Sequence, residues 1–254
     1  MIDTVLFDIG GTLIKQTRNS QRSLLYSRFV KQTLSQIGTV ITLDDQEFFD
    51  KLYINQEVYK HRGETTFSEL PPLEVWRDFI LREYDITTDK LELVAESLSF
   101  TYDYIRMENS PRPNLRQSLE QLGSMGLKLG IITNTISRTF AEHILNEYKV
   151  LPFFSVIVKS CEFGIRKPHP AIFEHAMNMI GSTKETTCYV GDTISRDVLG
   201  SRNADLAMVI KIRNSSIAHR DTAFQGSDAP KADFEIDDLI EIPEIIETFN
   251  KERT

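Results

Sequence analysis

The side chains that carry most chemistry stand at the ends of apolar runs. Thr4-Val5-Leu6-Phe7 ends at Asp8, and Gly10-Gly11 follows as a turn signal. Ile131-Ile132 runs into Thr133-Asn134, and the run from Thr187 to Val190 ends at Gly191-Asp192. Carboxylates in such places can serve as nucleophiles or as oxygen ligands for a divalent cation. Each residue also has a plainer use. An aspartate after a strand commonly caps a helix or closes a turn. Thr133-Asn134 could also be turn chemistry, and Lys167, before Pro168, a loop charge, although position and spacing speak against both. Asp197 in the first turn of a helix suits the helix dipole.

The elements that must position these residues are legible in the hydrophobic pattern. Residues 4–7 are apolar throughout, as in a strand covered on both faces. From about Asn19 to Ile105 the period becomes helical, with Leu25, Phe29, Val30, Leu34 and Ile37 in one stripe and Leu91, Val94, Leu98 and Tyr102 in another. Roughly four helices are expected there, with breaks near Gly38, Gly63, Pro71-Pro72 and Ile86-Thr87-Thr88. Pro111 and Pro113 close that block. Strands are then expected over Leu127–Ile132, Ser155–Val158, Thr187–Val190 and Leu206–Ile212. Helices are expected over about Ser137–Tyr148, Pro170–Ile180 and Ser195–Asn203, with a last acidic one around Asp237–Phe249.

Such alternation predicts an α/β fold, a doubly wound parallel sheet with helices on both faces. An inserted all-helical cap is expected over 16–110, with the core made of 1–15 and 111–254. Ligands bind such sheets beyond the carboxyl ends of the strands. Asp8, Thr133-Asn134 and Asp192 therefore converge on one crevice.

Composition narrows the partners. The 254 residues carry 29 basic and 37 acidic side chains, a net charge of −8. That balance argues against nucleic acid or an anionic membrane as main partner. The 41% apolar and 26% charged content is that of a globular chain. No apolar run is long enough to span a bilayer, and the charged start after Met1 predicts no signal peptide. Cys161 and Cys188 read as reduced thiols. A cytoplasmic protein, monomer or homodimer, is expected.

Four segments in order carry a resemblance: Phe7-Asp8-Ile9-Gly10-Gly11-Thr12-Leu13, Ile131-Ile132-Thr133-Asn134, Lys167 before Pro168, and Gly191-Asp192-Thr193-Ile194-Ser195-Arg196-Asp197. Together they resemble the haloacid dehalogenase superfamily with a helical cap of the first type, in which most members are magnesium-dependent phosphatases. The resemblance implies that Asp8 is a nucleophile forming a phosphoaspartyl intermediate. It implies Mg2+ held by Asp8, the Gly10 carbonyl and Asp192, with Asp197 as a further ligand or as a residue orienting Lys167 or a metal-bound water. It implies Thr133, Asn134, Lys167, Gly11 and Thr12 against a small phosphorylated substrate, Lys167 and Thr133 acting on the reacting group.

One position departs from that pattern. Most phosphatases of the superfamily carry a second aspartate two residues after the nucleophile, as acid and base. Here that position is Gly10. A general acid–base group contributes ~10²–10⁴ in rate. Four resolutions are open: a leaving group that needs no proton, such as an acyl or aryl phosphate; a proton from the cap or the substrate; a different reaction; or lost catalysis with retained binding. Phosphonatase chemistry would need a cap lysine, for which Lys31, Lys51 and Lys60 qualify by type. Dehalogenases lack the Gly191-Asp192 form of the fourth motif. In the cap, Tyr59-Lys60-His61-Arg62 is a basic cluster in which His61 could carry a proton, or simply a solvated helix end.

Overall fold

A computed structural model describes residues 1–224 and 229–253; the expected core range 111–254 thus includes a few residues, 225–228 and 254, outside the described ones. Eight strands are found among the described residues: β1 (Thr4–Phe7), β2 (Ile14–Thr17), β3 (Glu108–Pro111), β4 (Lys128–Thr133), β5 (Val156–Lys159), β6 (Thr187–Gly191), β7 (Met208–Ile212) and β8 (Phe234–Ile236). Six of them form one sheet in the order β5-β4-β1-β6-β7-β8, with every pairing parallel. β2 and β3 pair antiparallel as a separate two-stranded ribbon.

Strand alternation sorts the core into two faces. Val5, Phe7, Ile131, Cys188 and Val190 pack on one face with the helices Leu115–Ser124, Phe140–Glu147 and Ile242–Lys251. Leu6, Ile132 and Tyr189 pack on the other with the helix Pro170–Ile180. The segment between β2 and β3 forms a third apolar cluster around Tyr26, Phe48, Trp76 and Leu98. Trp76 is fully buried there and donates its indole N–H to Ser99 at 2.9 Å. Ile136, from the loop after β4, joins this cluster.

The expected parallel sheet and the inserted helical segment are both present. Gly63 is a correction: it lies inside one continuous helix, Asp45–Thr66, and breaks nothing. Its lack of a side chain leaves room for a distant arginine, which would have to shift if one were added. A Cβ at Gly63 would lie 2.2 Å from Nη1 of Arg166, which reaches across from a loop about a hundred residues further along the chain. The pattern also does not reveal β2, β3, β8 or the helix Leu115–Ser124. β2 and β3 are short and mostly exposed, so they carry no apolar period. Pro111 ends β3 rather than only closing the helical block. The helix expected from Ser137 starts at Phe140, and the one expected from Ser195 opens as a π-helical turn, Ile194–Val198.

Candidate active site at the strand ends

Register places the key residues side by side. Phe7 pairs with Ile131 and with Val190. Asp8, one residue beyond β1, therefore lies between the ends of β4 and β6, flanked by Thr133 and Asp192. All three are buried.

Lys167 ties this group together. Its ammonium donates to Asp8 Oδ1, Asp197 Oδ1 and the Tyr189 hydroxyl, each at 2.7 Å. All three of its protons are thereby placed. Asp197 is held on both oxygens, because its Oδ2 accepts from the Thr193 backbone N–H at 3.0 Å and from the Thr193 hydroxyl. Among the described residues, Asp8 Oδ2 has only a long contact, 3.5 Å, from the Thr12 hydroxyl. That oxygen is the less committed one.

The carboxyls divide electrostatically. Burial outweighs the pull of Lys167 at Asp8, so its carboxyl stays above the ordinary range. Burial, with the charges of Asp197 and Asp8, raises Asp192 to about 7. Burial also works against ionised Asp197, but Lys167 and Arg196 overcome it and hold that carboxyl well below the usual value.

One oxygen from each of Asp8, Asp192 and Asp197 lies within 4.8 Å of the others. Asp192 Oδ2 accepts from the Asn214 amide at 2.8 Å, while its Oδ1 is buried without a partner among the described residues. An unpartnered buried carboxylate oxygen is costly unless a cation meets it. The donor set of hard oxygens suits magnesium.

Other expected residues take different places. Both ends of the Asn134 amide are engaged by Lys167, with Oδ1 accepting its N–H at 2.9 Å and Nδ2 donating to its carbonyl at 3.0 Å. This amide holds the Lys167 loop, and Asn134 also lines the small cavity beside Asp8. The N–H groups of Gly11 and Thr12 are likewise spent within the loop, on Ile14 and Ile9 carbonyls. Gly11 is required for geometry: its φ is +90°, and a Cβ would lie 1.8 Å from Asp192 Oδ2. The Thr133 hydroxyl makes no hydrogen bond to a described residue and faces a small cavity of about 80 Å³ lined also by Asp8, Gly10, Gln16, Asp103 and Arg196. A larger cavity of about 140 Å³ continues from it toward Lys60, Tyr102, Arg106 and Arg166. His61 is exposed, Lys31 is tied to Asp45 at 3.0 Å, and Lys51 to Glu83 at 3.4 Å.

Residues 2–205 match the haloacid dehalogenase-like hydrolase family. The chain belongs to that family. A glyceraldehyde 3-phosphate phosphatase of Methanopyrus kandleri is 27% identical to it over 252 residues, covering 99% of this chain and all of the relative. The pyrophosphatase PpaX of Bacillus pumilus is also 27% identical, over 86% of this chain and 89% of its own length. Among solved structures, a haloacid dehalogenase-family phosphatase from Thermococcus onnurineus superposes with a TM-score of 0.59 at 21% identity, covering 96% of this chain and 98% of that one. A 2-haloacid dehalogenase from Pseudomonas syringae reaches 0.63 at 19% identity, over 98% and 100%. These two likenesses establish the fold.

In this haloacid dehalogenase-like hydrolase, several site residues escape sequence reading. Tyr189 is one, an inward strand residue indistinguishable by pattern from core. Gln16 and Asp103 come from outside the four motifs, and Asn214 from beyond them. Arg196 stands inside the fourth motif, where its position next to Asp197 was the available signal. It lines both cavities, and the charges of Asp197, Asp192 and Asp8 keep it firmly protonated despite burial. Carboxylates of the helical segment are among the groups that tie it to the core. Glu96 accepts from the Ser137 hydroxyl at 2.7 Å and the Thr139 N–H at 3.1 Å. Asp103 accepts from the Thr135 hydroxyl at 2.6 Å, and Glu69 from the Ser160 hydroxyl at 2.8 Å.

Proposed function

We propose that this hydrolase is a magnesium-dependent phosphatase of a small phosphorylated metabolite, with Asp8 as nucleophile. The observation that carries the reading is the meeting of Asp8, Lys167 and half-satisfied Asp192 behind a small cavity that Asp8 and Thr133 line. The two named relatives act on a phosphate ester and on pyrophosphate, which supports phosphorus as the centre attacked.

Asp8 Oδ2 would form the bond to phosphorus while the bond to the leaving oxygen breaks. The Lys167 ammonium fixes Asp8 through Oδ1 and offsets the negative charge gathered there. The Thr133 hydroxyl and the N–H groups of Ile9 and Gly10, which bond no described residue, are donors left for phosphoryl oxygens. Magnesium would be held by Asp8, Asp192 and the Gly10 carbonyl, and when bound it neutralises charge on the transferred group. Asp197, saturated by Lys167, Tyr189 and Thr193, orients Lys167 rather than binding the ion. The helical segment 16–110 would act as a cap over the core of 1–15 and 111–254. Lys60 is the one of the three candidate lysines lining the larger cavity, yet it pairs with Glu57 at 3.2 Å.

Purified protein with magnesium should release phosphate from acetyl phosphate or para-nitrophenyl phosphate, and Asp8→Asn should abolish release. Silence of the wild type across a broad phosphate panel would refute the reading, as would undiminished turnover by Asp8→Asn.

A further inference from the structure

The space above Gly10 is filled. A Cβ built on Gly10 would lie 2.6 Å from Oε1 of Gln16, the far end of a side chain from β2. An aspartate at that position would direct its carboxyl into the volume this amide now holds. Gln16 also lines both cavities, together with Asp8 in the smaller one.

The orientation of the amide follows from a chain of hydrogen bonds. Asn109, its cross-strand partner on β3, donates Nδ2 to the carbonyls of Tyr104 at 2.9 Å and Met107 at 3.4 Å. Carbonyls only accept, so the Asn109 nitrogen must face them and its Oδ1 must face Gln16. Gln16 then meets Oδ1 with its own nitrogen, at 3.0 Å. Its oxygen is left pointing at Gly10. The group over the nucleophile loop is therefore a fixed acceptor with no proton to give.

Such a group can orient a water but cannot protonate a leaving oxygen. Resting on the phosphatase reading above, we infer that Gln16 seats the water that hydrolyses phosphorylated Asp8, and that the site is matched to donors whose leaving groups depart as stable anions, namely acyl phosphates and phosphoanhydrides. In the first half, Asp8 Oδ2 bonds to phosphorus and the leaving oxygen departs with its electron pair, unprotonated. In the second, a water held by Gln16 Oε1 bonds to phosphorus and the phosphorus–Asp8 bond breaks. Its electron pair returns to the carboxylate. One water proton passes to a phosphoryl oxygen, so the products are the Asp8 carboxylate and dihydrogen phosphate. Glutamine plays a comparable water-orienting role in GTP hydrolysis.

The test compares acetyl phosphate, pyrophosphate and β-glycerol phosphate with magnesium, and follows the phosphoenzyme left by acetyl phosphate. In the wild type, kcat/KM should be at least about 100-fold lower for β-glycerol phosphate than for acetyl phosphate, the share a general acid commonly supplies. Gln16→Ala should leave the rate of phosphoenzyme formation unchanged and lengthen its lifetime about tenfold or more. Gln16→Glu, of the same size, should raise turnover of β-glycerol phosphate by placing a titratable carboxyl there. β-Glycerol phosphate turning over within tenfold of acetyl phosphate in the wild type would overturn the inference, and loss of that activity in Asp103→Asn would then assign the proton to the cap. An unchanged phosphoenzyme lifetime in folded Gln16→Ala would also overturn it. If Asp8→Asn is silent while Gln16→Ala behaves as wild type, only this inference fails. If Asp8→Asn turns over, the phosphatase reading fails with it.

Discussion

Gly10 and Gln16 share one volume, so a change at either is felt by the other. Gly10→Asp should raise hydrolysis of alkyl phosphates by ~10-fold or more, a fraction of the ~10²–10⁴ that a well-placed acid–base group contributes. The gain should be larger in Gly10→Asp/Gln16→Ala, because the introduced carboxyl no longer competes with the amide. Steady-state kinetics on β-glycerol phosphate measures both. Asp103 offers a second residue-scale test. Burial raises its carboxyl to about 6, against hydrogen bonds from Thr135 and Ser137 and the charge of Arg106, with Glu69 adding to the rise. The folded state thus holds its proton more tightly than the unfolded chain. Its contribution to stability is present below the ordinary value of 3.8 and is lost as pH rises through 6. Asp103→Asn can still accept from Thr135 and Ser137. Its melting temperature should fall less than that of wild type between pH 4 and pH 6, and parallel profiles would disprove the assignment.

Two helical glycines separate local preference from tertiary demand. Gly123 lies in the helix Leu115–Ser124, with a right-handed φ and nothing within 4 Å of where an added methyl would sit. Gly123→Ala should stabilise by about 0.5–1 kcal/mol, the ordinary helix gain. Gly63→Ala has the same local gain, but its methyl would strike the Arg166 guanidinium, which lies 3.6 Å from Glu69. Its melting temperature should fall short of that of Gly123→Ala, and equal gains would show that Arg166 moves freely. The same contrast explains what was legible. Residues 4–7 read as a buried strand because apolar length is a local property, and Pro170–Ile180 was legible residue for residue because Pro170 and Gly181 bracket it. β2 and β3 were not legible, since their pairing joins segments about ninety residues apart and leaves exposed side chains. Asp8, Thr133, Lys167 and Asp192 could be found because each ends an element or stands in a short motif. Tyr189 and Gln16 could not, because neither carries a local mark.

At the scale of the whole molecule, the core gathers three carboxylates, of which Lys167 and Arg196 offset Asp197 and Lys167 also pairs with Asp8, while Asp192 keeps one buried oxygen without a partner among the described residues. Magnesium at about 100 times its Kd should therefore stabilise the protein by about 2.7 kcal/mol. That corresponds to a rise in melting temperature of about 5–10 °C for a chain of this size. Asp192→Asn should lose this response, yet be no less stable than wild type without the ion, since it removes a buried unpartnered oxygen's charge. A thermal-shift titration with and without magnesium reads both, and an undiminished response in the variant would remove Asp192 from the ion site. The sequence by itself determined the parallel sheet, the inserted helices and the carboxylates at strand ends, because apolar period and chain order act over a few residues at a time. Only the tertiary structure decided that Lys167 gives all three protons to Asp8, Asp197 and Tyr189, that Asn134 serves the Lys167 loop, and that Gln16 stands over Gly10. Those contacts join residues distant in sequence, and their geometry follows from how the helical segment and the loops pack on the sheet.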